Sequence, residues 1–222
     1  MSKDYVFAFD VYGTLIDTAG LSNLLTKFCP QNGKAMVELW RNKQLEYSFR
    51  QTAMGMYRGF NFCTKFALDY TCRYFSEQLS KEQKQELLDS YKKLPVFDDT
   101  VEALRSLSAN KIYAFSNGVP SDLKEMLDYN NITKLLTGII SVETTQHFKP
   151  SPETYEHFNA ATSSTKDNTI LVSSNPFDII GASYHGFKTI WVQRSSSNIF
   201  DTWDIEPDFV INNLTEISNL KL

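Results

Sequence analysis

A carboxylate at the end of an apolar run is the first chemical feature of this chain. Asp10 follows Tyr5-Val6-Phe7-Ala8-Phe9 and precedes Val11-Tyr12-Gly13-Thr14-Leu15, so a strand would deliver the acid into a glycine-hinged turn. In open α/β sheets, ligands bind beyond the carboxyl ends of the strands, where the chain leaves the sheet. A carboxylate presented there can act as a nucleophile in covalent catalysis. An isolated Asp-x-x-Gly is also an ordinary turn opener, so the weight falls on the other polar clusters. Ser116-Asn117-Gly118 follows the apolar run Ile112–Phe115, and Lys149-Pro150 precedes a helix start. Ser173-Ser174-Asn175-Pro176-Phe177-Asp178 follows Thr169–Val172. Polar groups from four loops are thereby expected at one crevice.

The elements that must position these loops are legible from periodicity. Strands are expected at Ile112–Phe115, Gly138–Ile140, Thr169–Val172, Thr189–Val192 and Asp208–Ile211, besides the first. Helical stretches around 100–109, 121–129, 152–161 and 177–185 alternate with them, which is the pattern of a parallel sheet covered on both faces. Ser151-Pro152-Glu153 reads as an N-cap followed by proline in the first turn. Between the first strand and this alternation the spacing is helical throughout. Leu21, Leu24, Leu25 and Phe28 mark one apolar face, and Met36, Val37, Leu39, Trp40, Leu45 and Phe49 a second. A charged helix is expected from Lys81 to Lys93, and the Phe60, Phe62, Phe66, Tyr70 stripe reads as core. The expected fold is α/β, a doubly wound parallel sheet formed by residues 1–15 and 97–222, with an inserted all-helical cap domain over 16–96.

At 222 residues the chain can bury a core without staples. A net charge of -4 and a pI near 5.4, with no basic cluster, argue against nucleic acid as a partner. Cys29, Cys63 and Cys72 are odd in number and fall into no metal-ligand pattern, so free thiols in a reducing, cytoplasmic setting are expected. The five-residue apolar run before Asp10 is too short for a signal peptide, and no stretch approaches the length of a membrane span. His147, His157 and His185 have no triad-like neighbours and receive no catalytic part.

With these residues assembled, the whole chain resembles the haloacid dehalogenase superfamily, and within it the hydrolytic L-2-haloacid dehalogenases. The superfamily marks are Asp10, Ser116, Lys149 and the acidic loop ending in Asp178. The narrower marks are Phe-Asp-Val-Tyr-Gly-Thr-Leu at 9–15, Trp40-Arg41 with Lys43-Gln44-Leu45-Glu46-Tyr47, Ser116-Asn117-Gly118, Phe148-Lys149-Pro150-Ser151-Pro152 with Tyr155, and Ser173-Ser174-Asn175 with Asp178. Superfamily phosphatases carry a second aspartate where this chain has Tyr12. A phenol, with an ordinary pKa of about 10, is a poor acid for that place at neutral pH. The last loop offers one carboxylate, Asp178, so the oxygen cage for a hard cation is depleted, and neither metal nor cofactor is expected.

Neither loss matters when the leaving group is halide, a base too weak to need a proton. The resemblance implies displacement by Asp10 at C2 of a short L-2-haloacid, an aspartyl ester, and hydrolysis to the D-2-hydroxy acid. Lys149 would keep Asp10 ionised, and Thr14 would hydrogen-bond it. Ser116 and the backbone amides of Val11 and Tyr12 would hold the substrate carboxylate, while Arg41 and Asn117 would receive the halide. Asp178 would serve the hydrolytic water, fixed by Ser173 and Asn175, and Tyr155 would support Lys149. Leu45 and Phe60 would close over the site. Asn42, where relatives commonly carry a longer amide, and Phe177, where tryptophan is frequent, would border the pocket and alter its shape. A homodimer is also implied. Two other readings remain open at the level of sequence: a Mg²⁺-dependent phosphomonoesterase, and a non-catalytic small-acid binder on the same fold.

Overall fold

The computed structural model describes residues 5–222. Its centre is one six-stranded parallel sheet in the order β3-β2-β1-β4-β5-β6, with β1 Val6–Phe9, β2 Lys111–Ser116, β3 Gly138–Ser141, β4 Thr169–Ser173, β5 Lys188–Val192 and β6 Phe209–Ile211. The strand order runs outward one way from β1 and the other way from β4, so the topological switch lies between them. That boundary opens a crevice at the carboxyl ends. The register there pairs Phe9 with Ala114 of β2 on one side and with Val172 of β4 on the other. Every residue of β1 and β4 is buried, as expected of strands covered on both faces.

The helices are α1 Leu21–Phe28, α2 Gly33–Ala53, α3 Phe60–Tyr74, α4 Lys81–Ser90, α5 Thr100–Ser106, α6 Pro120–Tyr129, α7 Pro152–Thr162 and α8 Pro176–His185. The doubly wound core with a helical cap is thus present. Helices α1 to α4 lie between β1 and α5 in the chain, and an antiparallel bridge from Ile16 to Val96 brings the two ends of that excursion together. Three local expectations are corrected. The charged helix ends at Ser90, and Tyr91–Lys93 continues as a single 3-10 turn. The helix expected to 109 stops at Ser106. Ser151 occupies the N-cap of α7 with extended backbone, but its hydroxyl binds the Glu153 carboxylate and caps no amide.

The cap also buries a different face than the apolar spacing implies. The buried stripe of α2 is Met36, Trp40, Gln44, Ser48 and Gln51, because polar partners on α3 accommodate its lower half. Gln44 donates to Thr64 Oγ1 at 2.6 Å and Gln51 to Cys63 Sγ at 3.0 Å. Of the aromatic stripe on α3, Phe60 is buried, whereas Phe66 and Tyr70 are exposed. The α3 interior is instead Cys63, Thr64, Ala67, Leu68, Thr71 and Cys72. The three cysteines are free and buried. Cap and core are tied by Phe148 N–H to Thr52 Oγ1 at 2.9 Å and by Asn61 to Asp122 at 2.8 Å.

Candidate active site

Asp10 is still part of the ladder through its backbone, its amide donating to Val172 O at 2.9 Å. The chain then turns sharply. Gly13 takes φ +86°, a region that side chains with a Cβ seldom occupy. The Val11 carbonyl collects the amides of Thr14, Leu15 and Ile16. The carboxylate is left at the switch point, buried, with donors on both oxygens. Thr14 Oγ1 and Asn175 Nδ2 donate to Oδ2 at 2.9 and 2.8 Å, and Lys149 Nζ donates to Oδ1 at 2.9 Å.

Lys149 enters from the loop before α7, and its backbone amide is held by Asn117 Oδ1 at 2.8 Å. Its ammonium has three protons and three acceptors: Asp10 Oδ1, Asp178 Oδ2 at 2.6 Å and Phe115 O at 3.1 Å. Burial opposes the charge on Lys149, but the Asp10 and Asp178 carboxylates outweigh it and hold the pKa above the ordinary lysine value. Asp178, in the first turn of α8, is wholly buried. Its other oxygen accepts from Tyr155 OH at 2.9 Å. Burial pushes the Asp178 carboxyl up, with Lys149 pulling against it and Asp10 adding to the rise. Burial, with Asp178 beside it, also raises the Tyr155 phenol, so that group stays a hydrogen-bond donor.

Two expected pairings differ. Asn175 does not fix Asp178; its amide reaches Asp10 and, at 3.2 Å, the Tyr12 carbonyl. The Ser173 hydroxyl accepts from the Asn175 backbone N–H at 3.1 Å. The reason is sheet order: β4 lies directly beside β1, so its loop falls onto the Asp10 turn, while Asp178 is one helical turn further on. Ser116 and Asn117 stand at the end of β2, with the Ser116 oxygen accepting the Gly118 amide at 3.1 Å.

The cap supplies the other wall. Arg41 on α2 reaches over the turn, with Nη2 3.5 Å from the Tyr12 carbonyl. Phe60 packs on the Tyr12 ring at 5.9 Å and on Phe148 at 6.0 Å. Burial pushes the Tyr12 phenol well above its ordinary value. Phe49 meets Phe177 edge-on at 5.1 Å, which brings α2 against the start of α8. Asn42 is exposed and Leu45 half-buried. Helical periodicity puts both on the stripe of α2 that carries Phe49. Val11 is fully buried.

Two contributors escaped the sequence reading. Gln44 Oε1 accepts from Arg41 Nη1 at 2.8 Å while its amide is anchored on Thr64; the i, i+3 spacing from Arg41 was the available signal. Ser174 donates its amide to Thr14 Oγ1 at 2.9 Å and its hydroxyl to Gly13 O at 2.7 Å. Nothing local distinguished it from Ser173.

The sequence model of the haloacid dehalogenase-like hydrolases matches residues 7–192. The (S)-2-haloacid dehalogenase of Pseudomonas putida is 35% identical over 95% of this chain and 93% of its own. Haloacetate dehalogenase H-2 of Moraxella sp. (strain B) is 32% identical over 99% of each. The L-2-haloacid dehalogenase of Xanthobacter autotrophicus, solved with chloropropionic acid covalently bound, superposes with a TM-score of 0.93 at 28% identity, covering 99% of this chain and 98% of that one.

Proposed function

Because this chain belongs to the haloacid dehalogenase-like hydrolases, we propose from the setting of Asp10 that it hydrolyses short L-2-haloacids to D-2-hydroxy acids and halide without a metal. The observation that carries the reading is the division of labour on the Asp10 carboxylate. Oδ2 already accepts two hydrogen bonds, whereas Oδ1 accepts one, from the Lys149 ammonium. Oδ1 is the atom with a lone pair to spare. It attacks C2, the carbon–halogen bond breaks, and halide leaves with the electron pair; a single displacement inverts the centre.

Oδ2 then becomes the ester carbonyl oxygen. Thr14 and Asn175 stay on it as water attacks the Asp10 carbonyl carbon, so the developing oxyanion meets donors already in place. The water oxygen stays on Asp10; one of its protons passes to Asp178 and is returned to the departing alkoxide, which leaves as the alcohol carrying Oδ1, and the proton remaining on the Asp10 carboxyl is lost to solvent. Burial raises the Asp178 carboxyl, which makes it the better base, and Tyr155 holds it by one oxygen. Ser173 supports the backbone amide of Asn175. The charge balance assigns Arg41: with Lys149 neutralising one of two carboxylates, a substrate anion leaves the site short of positive charge. Arg41, held by Gln44, answers the halide together with Asn117. Ser116 and the amides of Val11 and Tyr12 take the substrate carboxylate. Leu45, Phe60 and Phe177 exclude water, and Asn42 sits at the rim.

Metal independence is supported by the donors themselves. Both oxygens of Asp178 are engaged by Lys149 and Tyr155, and among the described residues no three acidic, histidine or cysteine side chains converge as a cation site. In the same reading, residues 16–96 are the cap and 1–15 with 97–222 the core, of which the first four lie outside the described residues. A homodimer through the cap is favoured by the exposed Met54, Phe66 and Tyr70 along the groove between α2 and α3. A cytoplasmic setting suits three unpaired cysteines, and no described helix is long and apolar enough to cross a membrane.

The test is halide release from L- and D-2-chloropropionate in excess EDTA, beside 4-nitrophenyl phosphate with Mg²⁺. The expected result is L-selective, chelator-resistant halide and no nitrophenol, with halide release abolished in Asp10→Asn. In a single turnover in ¹⁸O-water, the product oxygen comes from Asp10. Label appearing directly in that first product would exclude the ester.

A further inference from the structure

The turn that carries Asp10 has four successive carbonyls, each held by a different donor. Asn175 Nδ2 holds Tyr12 O at 3.2 Å, Ser174 Oγ holds Gly13 O at 2.7 Å, and Phe97 N with Thr100 Oγ1 holds Leu15 O, both at 3.0 Å. The Thr14 carbonyl is held by Arg194 Nη2 at 2.5 Å. Thr14 is also the residue whose hydroxyl reaches Asp10 Oδ2.

Arg194 stands two residues beyond β5 and is itself fixed on two sides. Nη1 donates to Asp99 Oδ2 at 2.6 Å, and the guanidinium lies over the Phe97 ring, 3.9 Å from its centroid. Asp99 Oδ2 accepts the Leu214 amide at 2.8 Å as well. Asp99 is buried and Arg194 is largely covered, with side chains 6% and 12% exposed. One guanidinium therefore ties the nucleophile turn to the start of α5 and, through Asp99, to the C-terminal segment. Only a planar fork can serve Thr14 O and Asp99 at once while stacked on a ring.

We propose that Arg194, braced by Asp99, is a positioning residue that fixes Thr14 so that its hydroxyl occupies Asp10 Oδ2 and leaves Oδ1 directed at the substrate. It touches no reacting atom. Displacements of about 1 Å at a reacting group can cost about a hundredfold in rate, and this clamp is charge-assisted and much shorter than the 3.5 Å contact of Arg41 with the Tyr12 carbonyl. The inference rests on the dehalogenase reading for its kinetic consequence but not for its structural one.

Two variants test it. Arg194→Lys keeps a cation beside Asp99. The double variant Asp99→Asn with Arg194→Met leaves no unpaired buried charge and guards against simple misfolding. In folded protein, kcat on L-2-chloropropionate falls at least tenfold while KM stays within threefold, because the residues that hold substrate are untouched. The single-turnover rate of ester formation, read by mass after acid quench, falls in parallel. Hydrogen exchange at the amides of Gly13–Ile16 quickens at least tenfold. Lower thermal stability with unchanged kcat, ester formation and exchange would overturn the clamp and leave Arg194 a stabilising residue only. Wild-type protein releasing no halide would overturn the dehalogenase reading, and exchange at the turn would still decide the clamp by itself.

Discussion

Lys149→Met removes the one cation between two buried carboxylates, and its effect divides unequally. Asp10 keeps Thr14 and Asn175 on Oδ2, whereas Asp178 keeps Tyr155 alone. The cost falls mainly on Asp178, a wholly buried group left with an uncompensated charge. Removing one partner of such a pair costs about 3–5 kcal/mol. In a chain of this size each kcal/mol moves Tm by about 2–4 °C, so a loss of roughly 10 °C is expected. The pH dependence is more diagnostic. In the wild type Lys149 holds the Asp178 carboxyl down against burial; without it the native pKa climbs further above the unfolded value. A carboxyl raised in the native state loses stability as pH rises from its unfolded to its native pKa. The variant's deficit is therefore largest near pH 8 and shrinks toward pH 5, as Asp178 takes up a proton. The wild-type contribution of Lys149, whose native pKa is raised, is present at both pH values and is lost only under alkaline conditions. Urea unfolding followed by tryptophan fluorescence at the two pH values measures this. A deficit that is flat with pH, or below about 1 kcal/mol, would refute the assignment of a charged Lys149 serving a desolvated Asp178.

Two further outcomes follow from the cap. Gln44→Leu releases Arg41 Nη1 and takes one donor from Thr64 Oγ1, which keeps its own bond to Phe60 O, so KM for L-2-chloropropionate rises about tenfold, equivalent to about 1.4 kcal/mol, with a smaller change in kcat; an unchanged KM would show that Arg41 needs no anchor. Gly33→Ala places a Cβ 2.5 Å from backbone atoms of Thr26, forcing α1 and α2 apart. Overpacking of this kind costs about 1–3 kcal/mol, and thermal unfolding several degrees lower is expected.

Much of the architecture was legible because it is written in neighbours along the chain. Alternation of short apolar runs with helical stretches announced the parallel sheet, and Asp10, Ser116, Lys149 and Asp178 were correctly placed at strand ends or helix starts. Where burial depended on what lay opposite, the reading missed. The lower half of α2 buries Gln44 and Gln51 because α3 presents Thr64 and Cys63 to them, a pairing that apolar spacing does not encode. Phe66 and Tyr70 face outward for the complementary reason: the inner face of α3 is filled by smaller side chains.

The sequence by itself determined the turn at Asp10, since strand, glycine hinge and threonine are consecutive. It also determined the loss of a second acid at Tyr12. Only the tertiary structure decided which polar atom meets which. With β4 beside β1, Asn175 lands on Asp10 instead of Asp178. The loop before α7 places one ammonium between carboxylates far apart in the chain, and Arg194 is brought under the same turn from beyond β5. Local conformation follows from adjacent residues, whereas hydrogen-bond partnership follows from strand order and register, which arise only when the whole sheet has formed.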